Sequence, residues 1–375
     1  MKKIVYPVLI LILLFSFSLN SFAKEKPYPK NIIFFIGDGM GLATVTAAKI
    51  EAGNLAMEKL PHTGFVITFS KNNNLITDSA AAATALATGV KTDNGFISTT
   101  AEFNNGTSKI DTLKTVLEWA EEKGLSTGLV VTSSITHATP ACFASHVSSR
   151  KLETEIARQL SNEEIEVLFG GGLQFFLKAS EKLKVRKDNL DLLQIFKSKG
   201  YRVIKSYEEF VKLNPQITER VLGLFSPEGM PDIPERSPSL VEMTEKALQI
   251  LQKNEKGFFL MVEGSQIDWK AHANNAHGVI DETLEFDRAI DAGIKFAESH
   301  PQTLIVVTAD HETGGIALLH SGSNGLKVDL YFTTNHHTGV MVPIFAKGPG
   351  AEAFHGIMDN TFIGQKLIEY VKNRL

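Results

Sequence analysis

Five short runs of apolar, largely β-branched residues are spaced along this chain, at Asn31 to Ile36, Gly128 to Thr132, Phe258 to Val262, Thr303 to Thr308 and Val342 to Ala346. Helix-length amphipathic stretches lie between them. Strands without a polar face must be covered on both sides, and the arrangement that covers them is a parallel sheet flanked by helices. The expectation is therefore a doubly wound α/β fold, with a mostly parallel central sheet and helices on both faces. Helices are expected at Leu113 to Lys123, stopped by Gly124, at Ser239 to Lys253, which opens on the capping-box pattern Ser239-Leu240-Val241-Glu242, and at Val279 to Ser299. No repeat or linker divides the chain.

The N-terminus stands apart. Lys2 and Lys3 precede an apolar run from Val5 to Leu19, and Ser21-Phe22-Ala23 places small residues before a cut ahead of Lys24. Pro7, Ser16 and Ser18 interrupt the run, which falls short of the roughly 20 residues a spanning helix needs. Residues 1–23 read as a secretory signal peptide with no stable membrane anchor, and 24–375 as one domain. Its removal takes the net charge from −4 to −6, since two lysines and no acid leave. Such an acidic chain is a poor nucleic-acid partner. With Cys142 the sole cysteine, there is no internal disulfide, and a periplasmic or secreted bacterial location is expected.

Ligands of open parallel sheets sit beyond the carboxyl ends of the strands. Here those ends are rich in chemistry: the first run enters Gly37-Asp38-Gly39, the second Ser133 to Pro140, the third Glu263, and the fourth Asp310-His311. Carboxylates gathered so closely repel one another unless a cation lies between them, which points to a metal centre. Asp268 and His272, four apart, would share a helix face and could grip one ion, although an isolated pair at that spacing is commonly a surface pair. Glu312-Thr313-Gly314-Gly315 reads as a loop. In Thr77-Asp78-Ser79 a run of alanines follows, so Ser79 starts a helix whose free N–H groups favour an anion. Asp78 or Ser79 is then either a plain N-cap, or Ser79 is a nucleophile activated by a neighbouring cation.

Taken together, these residues resemble the alkaline phosphatase family, in collinear order over nearly all of residues 24–375. The motifs are Gly37-Asp38-Gly39-Met40-Gly41, Thr77-Asp78-Ser79-Ala80-Ala81, Thr88-Gly89-Val90-Lys91-Thr92, His137-Ala138-Thr139-Pro140, His146-Val147-Ser148-Ser149-Arg150, Val262-Glu263-Gly264, Asp268 with His272, Thr308-Ala309-Asp310-His311 and His337-Thr338-Gly339. The resemblance implies hydrolysis of phosphate monoesters to alcohol and inorganic phosphate, with Ser79 becoming phosphoserine and Arg150 holding two phosphate oxygens through its planar fork. It implies two Zn2+ ions, one on Asp268, His272 and His337 and one on Asp38, Asp310 and His311, and one Mg2+ on Asp38, Thr139 and Glu263. A homodimer is possible on the same ground.

Two positions depart from the best-studied bacterial members: His137 replaces an aspartate and Trp269 a lysine. His137 is expected to neighbour the magnesium rather than bind it, and Trp269 to shape the pocket. His336 competes with His337, which is preferred for the Thr-Gly that follows it. His62, His146, His277, His300, His320 and His355 are expected at the surface or as caps, and Cys142 as a small buried side chain. The short Glu312 to His336 segment implies a compact enzyme of the short-crown type. Rival readings are a phosphodiesterase, sulfatase or phosphomutase of the same superfamily, or a non-catalytic exported protein that binds metal or phosphate. Diesterases of this kind generally use threonine, and sulfatases a Cys/Ser-x-Pro-x-Arg pattern, neither of which is present at Ser79.

Overall fold

Consecutive side chains of the first strand show how the layers are built. Phe34 meets Phe143 edge-on at 6.2 Å between ring centroids, and Phe35 meets Phe286 at 6.1 Å. Neighbouring residues of a strand point to opposite faces, so the Ala138–Ala144 helix and the Ala276–Ser299 helix cover opposite sides of the sheet. Both phenylalanines are fully buried. This computed structural model describes residues 28–104, 107–179, 185–322 and 325–373; the expected signal peptide lies outside them.

Ten strands form the central sheet. In chain order they are β1 (Asn31–Gly37), β2 (His62–Ile67), β3 (Ser126–Ser134), β4 (Val167–Gly171), β5 (Arg202–Ile204), β6 (Val221–Leu224), β7 (Phe258–Gly264), β8 (Thr303–Ala309), β9 (Val342–Lys347) and β10 (Gly356–Asp359). Across the sheet the order is β10-β2-β9-β8-β1-β7-β3-β4-β6-β5. All neighbours run parallel except β9, which is antiparallel to both β8 and β2. The four strands that enter the polar motifs, β8, β1, β7 and β3, are adjacent at the centre. Their carboxyl ends therefore open onto one place.

The helices follow their local chemistry. Ser239 caps the Leu240–Leu251 helix in a reciprocal capping box with Glu242, as the sequence indicates. The expected helix at Leu113 instead begins at Val116, because Thr115 and Glu118 form a capping box of their own. Asn275 starts the long helix at Ala276, earlier than Val279, by accepting the Gly278 N–H. Between the last ligand motifs the described residues make a small hairpin, Ile316–Ser321 with Val328–Phe332. Glu312–Thr313 is not loop but a two-residue strand paired with His337–Thr338. Two residues are too few to show alternation, and their partner lies far along the chain. Among the described residues no helix is long and apolar enough to cross a membrane.

Candidate active site

Asp38 leaves β1 into Gly39, whose φ of +70° and lack of a side chain matter: a Cβ there would lie 2.8 Å from the Thr313 hydroxyl and 3.0 Å from the Asp268 backbone. The glycine lets the β1 turn close onto the helix carrying Asp268. Its N–H donates to Asp310 Oδ1, as does the His311 N–H. Asp38, Glu263, Asp310 and His311 are all at most 1% exposed, and Asp268 is 5% exposed. Four carboxylates thus share a buried space.

Each histidine is oriented by its far nitrogen. His272 Nδ1 donates to the Asn335 carbonyl at 2.7 Å and His337 Nδ1 to the Thr77 carbonyl at 2.9 Å. Thr313 gives its one hydroxyl proton to Asp268 Oδ1, so at 3.2 Å it must accept from His311 Nδ1. All three Nε2 atoms are therefore turned inward, an arrangement typical of metal-bound imidazoles with a supporting acceptor behind them. His272 Nε2 and His337 Nε2 stand 3.1 Å apart, with Asp268 Oδ2 3.3 Å from the first and Asp268 Oδ1 3.6 Å from the second. His311 Nε2 lies 3.4 Å from Asp38 Oδ1, 3.2 Å from Asp310 Oδ2 and 3.2 Å from Ser79 Oγ.

Electrostatics show what this space lacks. Burial, then the facing carboxylates, pushes Asp38 well above the usual carboxylate range. Burial likewise raises Glu263 to about 8 and Asp310 to about 6. Asp268 feels the same burial yet is held below its ordinary range by His272, His311 and His337. His272 is lifted to about 9 by its bond to Asp268, whereas burial lowers His337 to about 4 and His311 to about 4. Both oxygens of Asp38 and of Glu263, Asp310 Oδ2 and the Thr139 hydroxyl are buried without a hydrogen-bond partner. Three groups offer ligand atoms within 4.8 Å of one another: Asp268, His272 and His337; Asp38, Asp268 and His311; and Asp38, His137 and Glu263. Oxygen and imidazole donors so arranged fit divalent metal ions.

Ser79 opens the Ser79–Thr88 helix, with Asp78 as N-cap accepting the Ala81 N–H at 2.9 Å. Asp78 also serves a second partner, since its Oδ2 accepts from the Arg150 guanidinium at 3.2 Å. The other arm of Arg150 donates to His137 Nε2 at 3.2 Å, so the proton of the neutral imidazole sits on Nδ1. Burial and then Arg150 keep that ring neutral, lowering it to about 3. His137 occupies the N-cap position of the helix that carries Thr139, without a side-chain capping bond. Trp269 meets its ring at 5.9 Å.

Every sequence-expected site residue is brought to this end of the sheet, and His337 points inward while His336 is exposed. Thr313 and the Arg150-holding role of Asp78 escaped sequence reasoning; Thr313 sat in a segment read as loop. His146 is neither surface residue nor cap, but a half-buried link from the Ser98 carbonyl to Glu118. Cys142 is buried as expected.

Comparison with known proteins identifies the family. The family model described as alkaline phosphatase matches residues 29–329. The chain belongs to the alkaline phosphatase family. It is 34% identical to alkaline phosphatase 4 of Bacillus subtilis (strain 168), over 90% of this chain and 88% of that one. Alkaline phosphatase from the Antarctic bacterium TAB5 superposes with a TM-score of 0.82 at 35% identity, covering 92% of this chain and 98% of that one. A TAB5 variant with a histidine replaced by aspartate, which has Mg bound in its M3 site, superposes at 0.80 with 34% identity, covering 93% and 99%. As an alkaline phosphatase family member, the chain is a phosphomonoesterase.

Proposed function

We propose that Ser79 Oγ attacks the phosphorus of a bound phosphate monoester, expelling the alcohol and leaving phosphoserine, and that water then cleaves this ester to return Ser79 and inorganic phosphate. The observation that carries the reading is the convergence of Ser79 Oγ, Asp38 and Asp310 on His311 Nε2, within 3.2–3.4 Å, in a space crowded with buried carboxyl groups. Asp268, His272 and His337 would hold one zinc ion, Asp38, Asp310 and His311 a second, and Asp38, Thr139 and Glu263 a magnesium ion. When bound, these ions supply Lewis-acid charge that lowers the pKa of hydroxyl and water and offsets developing oxyanions. Arg150, steadied by Asp78 and His137, keeps donors free for two phosphoryl oxygens. Asp78 also fixes the first helical turn, so the free N–H groups there face the phosphoryl group.

The test is to incubate metal-loaded protein with radiolabelled phosphate, quench it in acid and map the label. Label on Ser79, lost with turnover in Ser79→Ala at unchanged metal content, is expected. Near wild-type hydrolysis by Ser79→Ala would remove it as nucleophile.

We further propose that residues 1–23 are a cleaved signal peptide, that 24–375 form one domain, and that the enzyme acts in the periplasm or outside the cell. One sheet running from Asn31 to Asp359 supports the single domain. A homodimer is favoured by exposed apolar residues near the sheet edge, Phe65 and Ile357 among them, and light scattering tests it.

A further inference from the structure

The segment from Ser226 to Arg236 runs behind the Trp269 ring and is anchored along its length. Ser226 O receives the Gly172 and Leu173 N–H groups at 3.0 Å, Met230 N–H donates to Thr132 O at 2.9 Å, and Gln266 Nε2 donates to Met230 O at 2.7 Å. Arg236 Nε holds Pro231 O at 3.1 Å, while the guanidinium itself is fixed by Glu282 and Glu285. This backbone has little room to retreat.

At its tightest point stands Gly229. A Cβ there would lie 2.4 Å from Trp269 Cη2 and 2.6 Å from Cζ3. The backbone of Gly229 is not in the left-handed region, so the indole, and not the turn, requires the missing side chain. A continuous series of contacts follows. The Trp269 ring meets His137 at a centroid distance of 5.9 Å and an interplanar angle of 79°. His137 Nε2 accepts from Arg150 at 3.2 Å, and Arg150 reaches Asp78 at 3.2 Å, beside Ser79.

We propose that Gly229 is a positioning residue for phosphate recognition: by letting the anchored segment close against Trp269, it holds the indole on His137 and so keeps the imidazole where it steadies the Arg150 guanidinium. The inference rests on Arg150 contacting phosphate, as proposed above. It gives the Ser226 to Arg236 segment a part in affinity although none of its side chains need touch substrate.

A substitution cycle on the metal-loaded enzyme tests it, using inorganic phosphate as competitive inhibitor and calorimetric titrant, p-nitrophenyl phosphate as substrate, and elemental analysis for metals. Gly229→Ala pushes a methyl group into the indole, and the dissociation constant for phosphate and KM should rise about tenfold, the equivalent of one lost hydrogen bond of about 1.4 kcal/mol, with metal content unchanged and kcat less affected. Trp269→Phe removes the ring atoms the methyl group would strike, so in that background Gly229→Ala should cost less than about twofold. Trp269→Leu, which empties the space instead of overfilling it, should weaken phosphate binding even if Gly229→Ala folds poorly. Equal weakening by Gly229→Ala with Trp or Phe at position 269 would overturn the proposal, and so would unchanged phosphate binding in Gly229→Ala and Trp269→Leu. Arg150→Ala serves as the separate control. If it leaves phosphate binding intact, the reading of Arg150 fails; if it weakens binding while the other variants do not, the role of Gly229 alone fails.

Discussion

Replacing Arg236 by methionine should destabilise the protein in a way that depends on pH. Arg236 holds Glu282 through two bonds of 2.8 and 2.7 Å and also contacts Glu285. The three side chains are 1%, 3% and 5% exposed. Methionine fills much of the volume but takes the cation from two carboxylates held away from water, Glu285 keeping the Leu240 N–H at 3.0 Å, and leaves the Pro231 carbonyl without its donor. Breaking a buried pair from one side costs about 3–5 kcal/mol, and with two acids stranded the upper half of that range is expected at pH 8. In melting temperature this is on the order of 8–10 °C at about 2 °C per kcal/mol for a large chain. The sign with pH follows from proton binding. In the variant the folded carboxyls hold protons that the unfolded ones release above about 4.3, so stability falls as pH rises and the deficit against wild type is large at pH 8 and small near pH 4.5. Urea unfolding of metal-loaded protein, followed by the fluorescence of Trp119 and Trp269, reads both values. A deficit under about 1 kcal/mol at pH 8, or one of equal size at both pH values, would refute the assignment of an ion cluster that depends on its arginine.

Other substitutions probe the site and the surface. If Arg150 makes the two charge-assisted phosphate contacts proposed above, Arg150→Ala on a side chain 26% exposed should cost about 3 kcal/mol, or on the order of a hundredfold in the inhibition constant for phosphate, with Arg150→Lys in between. An unchanged constant would end that role. His272→Ala should lower the zinc content by elemental analysis and leave far-ultraviolet circular dichroism unaltered, and undiminished zinc would take His272 off the ligand set. Glu121, raised to about 8 by burial and then by Glu163, keeps its proton when folded but loses it near 4.3 when unfolded, so its effect erodes stability from about pH 4.5 to 8. Glu121→Gln should therefore raise the melting temperature at pH 9 but not at pH 4, and an equal change at both would contradict this.

The central strands were legible because burial on both faces leaves an unbroken apolar run, and each run's abrupt end marked where ligands gather. β2 and β10 were not, since both are short and partly exposed, with Gly64 and Gly356 facing each other across the pair. β5 has only three residues. In the site, the ligand types stood out through Asp38, Glu263 and Asp310, whose carboxylates follow apolar runs, and through the four-residue spacing of Asp268 and His272. Thr313 did not, because a hydroxyl that supports an imidazole leaves no pattern until the Glu312–Thr313 strand meets His337–Thr338. Asp78 was visible as a cap, but its bond to Arg150 joins residues 72 apart that only the fold unites. Gly229 lies in a stretch with nothing in its sequence to mark the indole pressed against it.

The strand order also dictates when during synthesis this site can exist. β1 emerges first, yet both of its neighbours, β7 and β8, come from residues 258–264 and 303–309, and β3, though it can pair with β4, joins β1 only through β7. A growing chain, made from its N-terminus, therefore carries Asp38 and Ser79 long before it owns the partners that would let either act. Until His337 has been added, no nascent fragment can complete the Asp268 and His272 group, and loop-closure entropy opposes bringing such distant segments together. Completion of that group is thus postponed to near the end of chain growth, so a chain that stops short of His337 should lack the metal affinity this group would supply.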